Sequence, residues 1–222
     1  MLDKLANRCN YSGMFWIALA ATAQLVGPRV EDAHRVFSPD DMPAYVQRAG
    51  IDRFILTRTT ILPDGTVRNC DVERSSGDRK LDALSCAIIV KRAKFQSSKW
   101  VDGSAAYGVV RAPVSWTIGG PPSKNELRKA YPADLDISIS QLPASAKAPI
   151  TVRLTIAVDE SGRIVGCSEA PQFSKHERSF PELVPIACQQ LTDKYSPIPA
   201  KDASGKPVRS VQDAMVDFST GK

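Results

Sequence analysis

Several residue patterns that announce chemistry are missing from this 222-residue chain. Histidine is scarce: only His34 and His176 occur, and neither stands at a metal-ligand or triad spacing. No Cys-x-x-Cys pair occurs among the five cysteines, which removes a thioredoxin-like redox site and a zinc site. Ser75-Ser76-Gly77 lacks the glycines of a nucleophile elbow, and no glycine-rich stretch has the form of a phosphate loop. The formal charge of +5 is spread along the chain without a basic cluster, so there is no footprint for nucleic acid. Without these patterns the chain offers no catalytic, cofactor or metal site, and a non-enzymatic role is expected.

Long apolar runs are missing too. The run from Met14 to Ala21, extended to Val26, is broken by Thr22 and Gln24 and falls short of the ~20 residues a membrane-spanning helix needs. Lys4 and Arg8 precede it and Ala21-Thr22-Ala23 follows, which is the order of a secretory signal peptide. Cleavage between Ala23 and Gln24 is expected; a retained membrane anchor is the alternative. No cysteine follows the apolar run, which argues against a lipoprotein. Cleavage discards Cys9 and leaves Cys70, Cys86, Cys167 and Cys188, an even number suited to disulfides in an oxidising compartment such as the periplasm.

What is present centres on residues 61–95. Pro63-Asp64-Gly65 reads as a hairpin turn, because glycine supplies the positive φ that a short connection needs. Thr66 to Glu73 follows as a strand, and Ser75 to Asp78 breaks it. Asp82 is expected to cap a helix from Ala83 to Ala93, whose last turn carries Lys91 and Arg92, with Lys94 just beyond. Cys70 lies in the strand and Cys86 in the helix, so a disulfide between them would pin the helix to the sheet.

The second half repeats the first. Gly65 to Cys70 corresponds to Gly162 to Cys167 at an offset of 97, while Cys86 and Cys188, and Trp116 and Phe218, stand 102 apart. One insertion around residues 172–178 reconciles the offsets, and Leu142-Pro143-Ala144 echoes Met42-Pro43-Ala44. At offset 102 Ala83 matches Pro185, a residue favoured at the first helical position, so both helices are expected to start at one place. Ile150 to Val158 alternates apolar and polar residues with period two, as a half-buried strand does. Its counterpart, Phe54 to Leu62, has Thr57 and Thr59 where the second half has Leu154 and Ile156. Each unit reads as strand, hairpin, strand, helix, strand. The fold class expected is therefore α+β: two tandem small domains, each a three-stranded antiparallel sheet covered by one helix. The boundaries are 1–23 for the signal peptide, 24–37 for a leader, 38–120 for the first domain and 121–222 for the second. The repeat makes Cys70–Cys86 and Cys167–Cys188 the one connectivity that keeps both bonds within a domain. Trp100, Trp116 and Tyr107 read as packing residues.

Asp64-Gly65-x-Val67, Ser75-Ser76-Gly77 and Leu81-Asp82-x-Leu84, followed by a basic helix end and Phe95, resemble the C-terminal domain of the TonB family. Met42-Pro43-x-Tyr45 stands where that family has Tyr-Pro. Asp102-Gly103 and the run Val109 to Ile118 stand where it has its last strand. The resemblance covers about residues 42 to 118, and the second half is a more divergent copy. It implies a domain that contacts TonB-dependent outer-membrane receptors or other envelope proteins in energy transduction to outer-membrane transport. The last strand is then the edge that accepts a partner strand, through Val109, Val110, Arg111, Ala112, Val114, Ser115 and Trp116. Pro113, which cannot donate a ladder hydrogen bond, fits an edge. The chain departs from such transducers in having no proline-rich spacer near the N-terminus; the ~14 residues from Ala23 to Ser38 reach only ~50 Å when extended. A soluble periplasmic binding protein is therefore expected. An inner-membrane-anchored transducer with a shortened spacer, or a structural or assembly subunit of the envelope, is the alternative; a membrane contact follows only if the N-terminal segment is retained.

Overall fold

The structure, a computed structural model, describes residues 25–120, 122–143, 146–171 and 178–221; the cleavage site at Ala23 and Gln24 and most of the 172–178 insertion lie outside them. The first half opens with a three-residue strand β1 (Arg29–Glu31), helix α1 (Ala33–Val36), a 3-10 turn over Pro39–Asp41 and helix α2 (Ala44–Ala49). Strands β2 (Arg53–Ile61) and β3 (Val67–Arg74) form a hairpin, followed by helix α3 (Arg79–Arg92), the short strands β4 (Lys94–Gln96) and β5 (Ser98–Lys99), and the long β6 (Ala105–Trp116). The second half holds helix α4 (Lys124–Ala130), β7 (Leu135–Ile139), the hairpin β8 (Ile150–Val158) and β9 (Ile164–Glu169), a 3-10 turn over Pro181–Leu183 and helix α5 (Val184–Lys194). Short β10 (Ala200–Lys201) and β11 (Pro207–Val208) then lead to the long β12 (Ser210–Thr220).

Both hairpin turns close on glycine. Gly65 has φ 88° and its N–H donates to Leu62 O; a Cβ there would come within 2.1 Å of Phe95 O, so turn conformation and close packing both demand glycine. Helix α3 starts earlier than the sequence indicates. Its N-cap is Asp78, whose side chain accepts from the N–H groups of Lys80 and Leu81. Asp82 is buried inside the first turn and ties the helix back to the preceding loop, accepting from Ser75 Oγ, Ser76 Oγ and Ser76 N–H. The expectation that Asp82 caps the helix is thus corrected: two candidate caps lie four residues apart, and the earlier one serves. Nor do the two α-helices begin at matching residues. Arg79 corresponds at offset 102 to Pro181, where the second half makes a 3-10 turn before α5 begins at Val184.

The two halves share one sheet. Its order is β3-β2-β6-β12-β8-β9, with β5 added on β6 and β7 added on β12. Each half supplies three antiparallel strands, but the last strands of the halves pair with each other in parallel, Tyr107 to Val109 against Ser210 to Gln212. Two separate three-stranded sheets were expected, and this junction joins them into a mixed α+β sheet. The register also sets which face each helix covers. Val110, Val114 and Trp116 of β6 join the core under α3, whereas Ala214, Val216 and Phe218 of β12 join the core under α5. Gln212 stands beside Val109, so even residues of β12 share a face with odd residues of β6. The helices therefore cover opposite faces.

Each half leaves one sheet face without its own helix, and the other half's chain covers part of it. Arg58 donates to Ile198 O, and Arg68 to the carbonyls of Lys201 and Asp202, on the loop that leads out of α5. Reciprocally, Trp100 and Ala106 pack with Ala157 and Val211, and the Arg209 guanidinium lies 5.2 Å from the Trp100 ring centroid. Apolar surface at this seam is removed from water only when the halves are joined.

Candidate partner-strand edge and the joint between the halves

The four cysteines form two bonds. Cys70 on β3 is linked to Cys86 on α3, with Cα atoms 5.4 Å apart, and Cys167 on β9 to Cys188 on α5, 5.8 Å apart. Each bond fastens a helix to the outermost strand of its own half. An outermost strand has neighbours on one side only, so a covalent tie to the helix limits its fraying.

β6 is an edge strand along only part of its length. Val109 lies in the paired stretch with β12, and its neighbour there is Gln212. From Val110 to Trp116 the strand pairs with β2 alone among the described strands, because β12 diverges after Gln212. The residues read from the sequence as the accepting edge thus divide. Val109 is inside the sheet. Val110, Ala112, Val114 and Trp116 are on the α3 face, while Ser115 is exposed. Trp116 is 3% exposed and its indole N–H donates to Ser85 Oγ, so its side chain is a core anchor.

Arg111 has another task. Its guanidinium donates to Glu73 Oε2 at 2.8 Å, pairs with Asp134, and lies 5.4 Å from the Tyr131 ring centroid. The Arg111 side chain is 9% exposed and that of Asp134 3%. Asp134 in turn exchanges two bonds with Met215: its N–H donates to Met215 O, and its Oδ2 accepts from Met215 N–H. One carboxylate therefore links β6, β7 and β12 where the two long strands part. Burial pushes the Asp134 carboxyl up, against the Arg111 guanidinium, the Met215 N–H and the Tyr195 hydroxyl. Burial opposes the charge of Arg111 too, but Glu73 and Asp134 outweigh it and raise its pKa. Two residues before Met215 on β12, burial pushes Asp213 up to about 6 against the pull of Arg153.

Beyond the joint, a groove of ≈ 330 Å³ runs beside the end of β6, between Phe37, Pro39 and Met42 on one side and Ser115, Trp116 and Ile118 on the other. The matching edge on the second half is filled. β7 pairs in parallel with Val216 to Thr220 of β12, the residues that correspond at offset 102 to Val114 to Ile118. Sequence reasoning missed β7, although Leu135-Asp136-Ile137-Ser138-Ile139 carries the period-two signal of a strand. It missed Asp134 and Tyr131 because an ion pair across a joint leaves no local spacing. Among the described residues no group of His, Cys, Asp and Glu is placed to hold a metal ion, and no helix is long and apolar enough to cross a membrane. His34 is exposed on α1, and His176 lies outside the described residues.

Fold and edge define a mixed α+β protein with an incompletely paired long strand. Over 93 residues, 42% of the chain, it is 32% identical to the protein TonB of two strains of Xanthomonas campestris pv. campestris. The matched region is 41% of those proteins, so the chain spans less than half the length of the curated relatives it matches. This supports a relationship to the TonB family. No family model matches the chain, and no solved structure matches it.

Proposed function

We propose that the protein is a non-enzymatic, TonB-like component of the periplasm that binds extended segments of partner proteins by strand addition. It consists of two TonB C-terminal-like units, residues 38–120 and 121–222, and its role is related to energy transduction toward TonB-dependent outer-membrane transport. The observation that carries the reading is the stretch of β6 beyond Val109, which pairs with β2 alone among the described strands. Main-chain groups on such an edge supply affinity to an incoming strand, and the adjoining pockets supply specificity. The 32% identity to TonB over 93 residues favours outer-membrane receptors as partners. Two disulfides favour an oxidising compartment, as expected of a chain exported and cleaved after Ala23.

The test is Ser115→Pro, since Ser115 is exposed and is not part of the Arg111 network. The variant should keep its circular dichroism spectrum and lose binding to the periplasmic N-terminal segment of a TonB-dependent receptor. Undiminished binding by the variant moves the site off this edge. N-terminal sequencing with intact mass of exported protein then decides cleavage against an anchor: a start at Gln24 is expected, and an intact N-terminus in washed membranes favours the anchored transducer.

A further inference from the structure

We infer that β7 is a built-in strand ligand: among the described residues it occupies, on β12, the edge that the matching part of β6 leaves unpaired, so of these two long strands only β6 offers an acceptor edge. The inference rests on the strand-addition reading and assigns the binding to the first half. β7 lies outside the two repeated β-hairpins, in the part of the second half that precedes its hairpin. It adds to β12 in parallel, unlike β8 on the opposite side of the same strand, which is antiparallel. Leu135, Ile137 and Ile139 rest half-buried against the core under α5, while Asp136 and Ser138 are exposed. Apolar side chains alternate with polar ones and the backbone pairs along an edge, which is how an added strand is recognised. Asp134 pins its start through the two bonds with Met215.

The first half breaks this symmetry. Its corresponding chain, near Val36 to Pro39, turns into helix α1 and the 3-10 turn instead of a strand. Phe37 packs edge-on against Trp116 with centroids 5.7 Å apart, filling side-chain space but adding no strand to β6. The groove beside Ser115 to Ile118 remains, with Ile118 44% exposed. What fits there has the character of β7: an extended segment, apolar at alternate positions, running parallel to β6. β7 itself is short, parallel and half-exposed, so it opens at a lower free energy than the strands around it.

Native-state hydrogen exchange on the full chain tests this without any partner. The amides of Leu135 to Ile139, and those of Val216 to Thr220 that face β7, should open together about tenfold or more faster than those of β8. In Ile137→Asp the same β12 amides should lose protection while β2 and β8 keep theirs. A synthetic peptide of residues 134–141 should then restore the protection on β12 in that variant. Exchange of β7 only through global unfolding, or an Ile137→Asp chain that loses its fold, makes β7 an integral strand and overturns the inference. So does a peptide that leaves β12 of the variant unprotected. Loss of receptor binding in Ser115→Pro is read on another edge, so the two proposals fail separately.

Discussion

The first half and the second half follow one plan and solve it with different chemistry. Under α5 the strand β8 presents Ile150, Val152, Leu154, Ile156 and Val158, all buried and all apolar. Under α3 the strand β2 presents Ile55 and Ile61 at its ends and two threonines between them, Thr57 and Thr59, at 0% and 2% exposure. Three polar side chains of this core are hydrogen-bonded: Thr57 Oγ1 donates to Ala112 O, Ser85 Oγ to Leu81 O, and the Trp116 indole N–H to Ser85 Oγ. Burying a hydroxyl is costly only while it has no partner. The second difference lies at the edge, where β12 carries β7 and the matching part of β6 carries no second strand beside β2 among the described residues. One half thus has an apolar core and an edge paired with β7, and the other a core with hydrogen-bonded polar side chains and an edge that no described strand pairs.

The largest effect should come from breaking the joint on which the comparison depends. Arg111→Ala leaves the Asp134 carboxylate buried without its guanidinium, and loss of one partner from a buried pair costs about 3–5 kcal/mol. Chemical denaturation should show that loss; a change under ~1 kcal/mol would mean the joint stands without the pair. Next come the disulfides. Their sequence separations, 16 and 21, are close enough that the chain-entropy relation assigns each about 3 kcal/mol. Removing Cys70 and Cys86 together should therefore cost nearly as much as removing Cys167 and Cys188, and a clear inequality would sharpen the contrast between the halves.

A pH dependence should belong to the second half. Asp213 lies beside Thr155 and under Gly27, where a Cβ would come within 3.3 Å of its Oδ1. Its carboxyl is pushed up to about 6, against an ordinary value of about 3.9 in the unfolded chain. The folded protein therefore holds this proton where the unfolded chain has released it. The contribution of Asp213 to stability falls as pH rises from about 4 to about 6, by up to ~3 kcal/mol. Asp213→Asn should remove that slope from denaturation curves measured across the window; an unchanged slope would assign it to other groups. The smallest effect should follow Thr57→Val, which loses one hydrogen bond at nearly constant volume and should cost about 1 kcal/mol. A loss several times larger would mean that the threonines organise the first core rather than merely fitting it.

Much of each half was legible from local signals. The glycine turns, the alternation in Ile150 to Val158 and the common placement of the cysteines report backbone geometry within a few residues, and strand order within a half follows from short connections. Thr57 and Thr59 stand in the register the repeat assigns them, facing Ala112 and Val110 across the β2–β6 ladder. What could not be read was the relation between the halves. The pairing of Tyr107 with Ser210 joins residues about a hundred positions apart, and parallel contact between two equivalent strands leaves no mark in the periodicity of either. The same blindness made all of β6 look like an edge, when its beginning is interior and Arg111 belongs to the joint. β7 was hidden for a different reason: its alternating pattern follows a glycine- and proline-rich stretch that reads as a linker.

The two halves form a single structural unit through β6 and β12 and should unfold together. Equilibrium unfolding of a Trp100→Phe variant shows whether they do, because Trp100 touches both halves while Trp116 is buried in the first-half core; among the described residues tryptophan fluorescence then follows the first half, while far-UV circular dichroism follows the whole sheet. One unit requires both signals to change in a single coincident transition. A fluorescence transition separated from the dichroism transition would mean that the halves unfold independently and that the β6–β12 joint does not make them one unit.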